Sequence, residues 1–220
     1  MAKQKQSIPK QIELWFDILY LLSAVLIGFY LLATSVGNLA RLLWGMMALT
    51  LAFGDAFHLV PRILSAATGN TARFQTAMGY GKMLTSITMT LFYLFLWHCG
   101  LLLFSKNFPA LTVIVWILAI IRIVLCLLPQ NKWASAAPSY AFGIYRNIPF
   151  ALMGAMVLLF FALFSLPQFP SLAWMWLAIL LSFACYIPVV LWANKQPKLG
   201  MLMLPKTLAY VWILCMGLGL

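Results

Sequence analysis

The sequence predicts an all-α bundle of seven membrane-spanning helices that forms a single domain over residues 1–220. Hydrophobic residues make up 65% of the chain and charged residues only 8%, whereas a soluble domain is roughly a quarter charged. A helix that crosses a hydrocarbon core about 30 Å thick needs about 20 apolar residues. The 220 residues therefore hold about seven crossings, and we expect no separate soluble domain.

The chain begins with a basic segment, MAKQKQSIPKQIEL, that leads into an apolar run too long for the core of a signal peptide. No small-residue cleavage site follows, so we expect a short N-terminal segment, residues 1–13, and a first helix that is retained. Apolar runs separated by Pro, Gly, Asn and basic residues delimit the helices. They place the seven helices at about residues 14–35, 39–60, 83–104, 109–128, 148–166, 171–193 and 204–220.

Basic residues are distributed unequally between the two ends of these helices, since only Arg41 and Lys106 fall on one side. Cytosolic loops carry the excess of Lys and Arg in membrane proteins. We therefore expect a cytosolic N-terminus, an external C-terminus and a multi-pass protein of the cell membrane, specifically a prokaryotic cytoplasmic membrane. The same asymmetry accounts for most of the net charge of +11, so no nucleic-acid partner is predicted. The cytosolic set is Lys3, Lys5, Lys10, Arg62, Arg73, Lys82, Lys132, Arg146, Lys195, Lys198 and Lys206.

Several polar side chains lie within the predicted helices or at their cytosolic ends. Asp55, His58 and Arg62 share one face of the second helix, at positions i, i+3 and i+7. Other helices add polar groups at the same level, so we expect one pocket, in which the single acid Asp55 faces five cations. An anionic small molecule or lipid headgroup, carrying a phosphate or a carboxylate, would neutralise the positive surplus. The expected ligand-binding residues are Arg62, Lys82, Arg122, Arg146, Tyr186, Lys206 and Tyr210.

A structural interpretation of these charges is also open. Four of them could extend to the membrane interface and serve only to orient the chain, namely Arg62, Lys82, Arg146 and Lys206. The interface is harder to reach for Asp55, His58 and Arg122, which lie further inside, and a charge within the membrane usually has a partner or a function. The structural alternative for Asp55 and Arg122 is a buried ion pair with each other.

Metal and cofactor chemistries are not supported by the spacing of the ligands. A metal-dependent membrane hydrolase of the ceramidase type needs three histidines and an acid near one depth. The chain has only His58 and His98, which are separated by about 18 Å along the membrane normal. The same separation excludes a haem bound by both histidines. The GxSxG motif of a serine nucleophile is also absent from the sequence. We therefore expect neither a metal nor a cofactor.

The run LTLAFGDAFHL, followed by FQTAMGYGK, resembles the pattern of the lysoplasmalogenase-type membrane proteins. These carry a Gly-Asp pair in an early helix and a glycine-containing turn before the next. The resemblance covers about thirty residues and implies an intramembrane hydrolase of vinyl-ether lysophospholipids. In such an enzyme Asp55 would be a general base or would orient a water molecule. The family pattern includes a second acid in a later helix, whereas no Asp or Glu follows Asp55 here.

Two functional hypotheses follow. The first is a carrier or receptor that binds an anionic ligand in the cytosolic pocket, with Asp55 and His58 orienting the cationic side chains. The second is a lipid-active intramembrane enzyme in which Asp55 and His58 are the catalytic acid and base, since their spacing permits a direct contact. The absence of a second acid, a metal set and a nucleophile motif favours binding over catalysis.

Overall fold

A computed structural model of the chain describes residues 8–165 and 169–220, with side chains from residue 11 onward. Lys3 and Lys5, two of the cations assigned to the cytosolic side, lie outside the described residues, as does the side chain of Lys10. The predicted all-α class is confirmed, because the described residues form seven long helices and no strand. The helices are α1 (Ile8–Ala33), α2 (Leu39–Thr68), α3 (Thr71–Leu103), α4 (Pro109–Leu127), α5 (Tyr140–Phe164), α6 (Met175–Trp192) and α7 (Met203–Met216).

All seven helices are long and apolar enough to cross a membrane, counting the short 3-10 turns next to α6 and α7. Each helix packs against its neighbour in the chain, α7 returns to α1, and α3 also contacts α5. The described chain is thus an integral membrane bundle. We call the end at which α1 begins and α2 ends the basic end, and the opposite end the aromatic end.

The helices α2 and α3 are longer than expected, at 30 and 33 residues, or about 45 and 50 Å. The prediction ended α2 near residue 60 and began α3 near residue 83, because polar residues were interpreted as a membrane boundary. Instead, both helices continue to a tight turn at Gly69, which has a φ of 70°. Asn70 then caps α3 by accepting a hydrogen bond from the Arg73 backbone at 3.1 Å. Arg62 and Lys82 therefore lie within helices.

The start of α5 shows the same kind of difference. The prediction began this helix near residue 148, after the polar residues Arg146 and Asn147. The helix instead begins at Tyr140, and the Ser139 side chain caps it by accepting a hydrogen bond from the Phe142 backbone.

Two glycines allow α2 and α3 to approach closely. A Cβ atom at Gly54 would overlap the Thr88 side chain, and one at Gly81 would overlap the α2 backbone at Phe57 and His58. These positions belong to the FGDAFH and GYGK motifs. Their small size brings the polar face of α2 against α3, which positions the side chains described next.

Candidate binding cavity at the basic end

A cavity of about 630 Å³ lies at the basic end of the bundle. Its volume falls within the range of small-molecule sites, about 300–1,000 Å³. Each of the seven helices contributes a side chain to the wall of the cavity. From α1 to α7, one such residue per helix is Glu13, Asp55, Lys82, Arg122, Arg146, Tyr186 and Lys206. Residues more than 190 positions apart in the sequence therefore line the same cavity.

The cavity contains nearly all the predicted site residues. Tyr210 is the exception, since it lies buried behind the wall with its ring edge-on to Phe92. The ammonium of Lys206 lies 5.0 Å from the ring centroids of both Tyr210 and Tyr186. Tyr210 thus contacts the site through Lys206. The predicted residues that line the cavity are Asp55, His58, Arg62, Lys82, Arg122, Arg146, Tyr186 and Lys206.

Helix α1 adds two acids that the sequence analysis did not assign to the pocket. Arg62 binds both of them, with Nη2 2.7 Å from Glu13 Oε2 and Nη1 3.6 Å from Asp17 Oδ2. The expectation of a single acid is therefore wrong, and three carboxylates line the cavity. The i, i+4 spacing of Glu13 and Asp17, with Tyr20 three residues further on, places them on one helix face. That spacing was the available signal.

The carboxylate of Asp55 is bound by a tyrosine and not by an arginine. Tyr20 donates its hydroxyl proton to Asp55 Oδ2 at 2.5 Å. The structural alternative, an ion pair between Asp55 and Arg122, is not formed, because no described carboxylate lies within ion-pair distance of Arg122. Tyr20 of α1 instead binds Asp55.

His58 is oriented by α3. Its Nδ1 atom lies 2.9 Å from the Thr85 hydroxyl, and that hydroxyl donates to the Gly54 carbonyl, also at 2.9 Å. A threonine hydroxyl has only one proton, so Nδ1 of His58 must be the donor in the first contact. In the neutral ring Nε2 is then the acceptor. No hydrogen bond joins His58 to Asp55 among the described residues, although the spacing of the two residues permits one.

Arg122 is the most deeply buried charge of the site, with an exposed fraction of 2%. Its guanidinium carbon lies 3.3 Å from the ring centroid of Phe150, in a cation–π contact. Within the described structure, its Nε and Nη1 atoms have no hydrogen-bond partner. An arginine has five N–H donors in a planar fork, and a buried donor without an acceptor is costly.

The loop between α4 and α5 positions Arg146. Asn131 caps the end of α4 by donating to the carbonyls of Leu125 and Leu128, at 2.7 and 2.8 Å. Its Oδ1 atom accepts a hydrogen bond from Arg146 Nη1 at 2.7 Å. The guanidinium also lies 4.2 Å from the ring centroid of Trp133. The contacts of Arg146 are therefore with neutral groups, and its charge is not balanced by them.

The charges of the cavity are unevenly arranged. Five cationic side chains line it against three carboxylates, which leaves a surplus of two positive charges. The carboxylates all belong to α1 and α2, where two of them bind Arg62. Lys82, Arg122 and Arg146 belong to α3, α4 and α5, and none of them has a carboxylate partner in the described chain. The positive surplus therefore lies on the α3–α5 side.

The described residues contain no group of three or more His, Cys, Asp or Glu side chains that could hold a metal ion. His98 is far from the cavity, and its Nε2 atom accepts a hydrogen bond from Trp116 at 3.2 Å. Comparison of the chain with protein-family models, curated proteins and solved structures found no match in any of the three. The possible activity must therefore be argued from the cavity itself.

Proposed function

We propose that the chain binds an anionic ligand in the cavity and acts as a carrier or receptor for a phosphate- or carboxylate-bearing metabolite or lipid headgroup. The observation that supports this best is Arg122, a buried guanidinium that lines the cavity and whose Nε and Nη1 atoms have no hydrogen-bond partner among the described residues. Leaving buried N–H donors of a charged group without acceptors is unfavourable. An incoming oxyanion would supply the missing acceptors, often through two parallel hydrogen bonds.

The surrounding charges support the same assignment. Lys82 makes no ion pair within the described residues, and Lys206 is partnered by two aromatic rings. The surplus of two positive charges matches a phosphate dianion or a pair of carboxylates. By the positive-inside rule, the opening at the basic end would face the cytosol.

Phosphate binding provides a direct test. The purified protein in lipid nanodiscs would be titrated with inorganic phosphate and, separately, with acetate. Replacing Arg122 with Gln should weaken binding of the preferred anion by at least about tenfold, since a charge-assisted hydrogen bond contributes roughly 1.5–3 kcal/mol.

Arg41→Gln is the matched control for this titration. Arg41 lies at the aromatic end, where it binds the Thr34 hydroxyl and the Tyr30 ring. The Arg41→Gln substitution should leave the affinity for the anion unchanged. Equal binding by Arg122→Gln and the unmodified protein would overturn the proposal.

A second candidate is a lipid hydrolase of the lysoplasmalogenase type, in which Asp55 and His58 are catalytic. It is supported by the hydrogen bond from His58 to Thr85, because that bond leaves Nε2 of the neutral ring as a proton acceptor. Incubation of the protein with vinyl-ether and acyl lysophospholipids, followed by mass spectrometry, tests this candidate. An enzyme would release product, and Asp55→Asn would lower the rate at least about a hundredfold. No product from any lysolipid would exclude this candidate.

A further inference from the structure

An apolar groove runs along the outside of the cavity wall, between α5 and α6. Its volume is about 150 Å³, and an apolar space of that size can hold a benzene-sized molecule. Its outer rim includes Ile148 and Ile187, which are 52% and 41% exposed. The groove therefore opens on the apolar surface that the bundle presents to lipid.

The groove and the charged cavity share a wall. Four residues line both spaces, namely Asn147, Phe150, Tyr186 and Val190. Within this wall the Tyr186 hydroxyl donates to Asn147 Oδ1 at 2.9 Å, and the Phe150 and Tyr186 rings meet edge to face.

The two rings in the wall also hold the cations of the cavity. Arg122 stacks on Phe150 at 3.3 Å, and the ammonium of Lys206 lies 5.0 Å from the centre of the Tyr186 ring. Each ring thus lies next to a positive charge and also lines the apolar groove. A ligand that crosses this wall would need a charged group at one end and a hydrocarbon at the other.

The groove is closed at both ends by contacts between α5 and α6. At the basic end, the Tyr140 hydroxyl donates to the Leu191 carbonyl at 2.9 Å. Further along, the absence of a side chain at Gly154 lets the Phe183 ring pack against the α5 backbone. Between these two contacts each helix contains a proline, Pro149 in α5 and Pro188 in α6. A proline inside a helix removes a backbone hydrogen bond and permits bending, so the wall is built where both helices deform most easily.

We propose that the ligand is an anionic amphiphile with one hydrocarbon chain. Its phosphate or carboxylate lies at Arg122 and Lys206, and its chain passes between α5 and α6 into the groove. Charge complementarity on the cavity side and the wall that the two spaces share support this occupant. A groove of about 150 Å³ has room for part of one chain but not for two. The inference rests on the proposed function and decides between its two ligand sources, in favour of a lipid over a water-soluble metabolite.

The first experiment is a chain-length series measured by equilibrium dialysis against protein in nanodiscs, with protein-free nanodiscs as the baseline. The probes are ethyl, butyl, octyl and dodecyl phosphate and the matching carboxylates. Each methylene buried from water should tighten binding by about fourfold, until the groove is filled. The stronger of the two series identifies the headgroup. Affinity that does not increase with chain length in either series would overturn the inference.

A pair of variants then locates the chain. Ala151 lines the groove but not the cavity, so Ala151→Phe fills the groove. We expect it to reduce octyl phosphate affinity by at least about tenfold. Ala162→Phe is the control, because Ala162 lies exposed on the same helix outside the groove, and it should keep the full chain-length dependence. Equal chain-length dependence in both variants would place the chain in bulk lipid and overturn the proposal.

Cross-linking provides a test that uses the unmodified protein and does not depend on whether a variant folds. An alkyl phosphate with a diazirine near the end of its chain should label α5 and α6 between residues 144 and 191, as mapped by peptide mass spectrometry. Labelling confined to α1–α4 would overturn the inference.

Failure of the inference can be distinguished from failure of the proposed function. If ethyl phosphate binds in an Arg122-dependent manner and longer chains bind no better, only the inference fails. If Arg122→Gln leaves binding of every probe unchanged, the anion site itself is wrong.

Discussion

The two ends of the bundle bury different kinds of side chain. At the aromatic end, Phe104, the residue after α3, packs against Phe160 and Phe161 of α5, with ring centroids 5.7 and 5.6 Å apart. Trp97 lies beside them and donates to the Thr112 hydroxyl at 3.0 Å. At the basic end, the same helices surround a cavity of about 630 Å³ lined with charges. One end is filled by its own side chains, and the other leaves space for a ligand.

This difference indicates that the aromatic end stabilises the bundle and that the basic end serves binding. Transmembrane helices associate through close packing, because lipid tails are as apolar as the side chains. The interlocked rings of the aromatic end supply that packing. The cavity instead contains a buried guanidinium, two of whose atoms have no hydrogen-bond partner in the described part of the chain, which opposes folding. Such a group is typical of a binding site that exchanges stability for function.

The largest effect on stability is expected at the aromatic end. Phe161 is 0% exposed, and Phe161→Ala should lower the free energy of unfolding by about 3 kcal/mol, because it removes ring contacts and leaves a cavity. Thermal unfolding in nanodiscs measures this as a clear fall in Tm. Leu163→Ala is the control on the same helix, since Leu163 is 70% exposed. Equal Tm values for the two variants would contradict the assignment of stability to this end.

A smaller effect of opposite sign is expected at the cavity. Arg122→Met replaces the buried charge by an unbranched apolar side chain, and should stabilise the protein by about 1–2 kcal/mol. The same variant should lose anion binding. Arg41→Met, outside the packed rings of the aromatic end, should change the Tm little. A lower Tm for Arg122→Met would mean that Arg122 has a structural role, which would remove the contrast between the two ends.

Much of the fold could be predicted from composition and hydrophobic runs, but the helix boundaries could not. The sequence marks a membrane boundary at polar residues such as Arg62 and Lys82, yet both lie inside long helices. A helix ends where its backbone is capped, here at Gly69 and Asn70, and not where it leaves the hydrocarbon. Polarity along the chain reports where a helix leaves the hydrocarbon, and it does not report where the helix ends.

The sequence predicted which residues line the cavity better than it predicted which of them contact each other. Asp55, Arg122 and Lys206 were each recognised because a charge within a hydrophobic run is exceptional. Their partners could not be derived in the same way, because a tyrosine within a transmembrane helix is not exceptional, and Tyr20 lies in the middle of α1. Its bond to Asp55 depends on the rotation of α1 against α2. The carboxylates of Glu13 and Asp17 were missed because they lie at the edge of the first apolar run.

The sequence by itself determined the all-α class, the seven spans and the set of charges that a membrane would have to accommodate. The reason is that length, hydropathy and net charge are sums over local residues. Only the tertiary structure decided that Arg62 binds the acids of α1, that Asp55 binds Tyr20, and that no carboxylate of the described chain pairs with Arg122. Those outcomes depend on how far each helix is rotated about its axis and on the close approach permitted by Gly54 and Gly81, which hydrophobic periodicity does not encode.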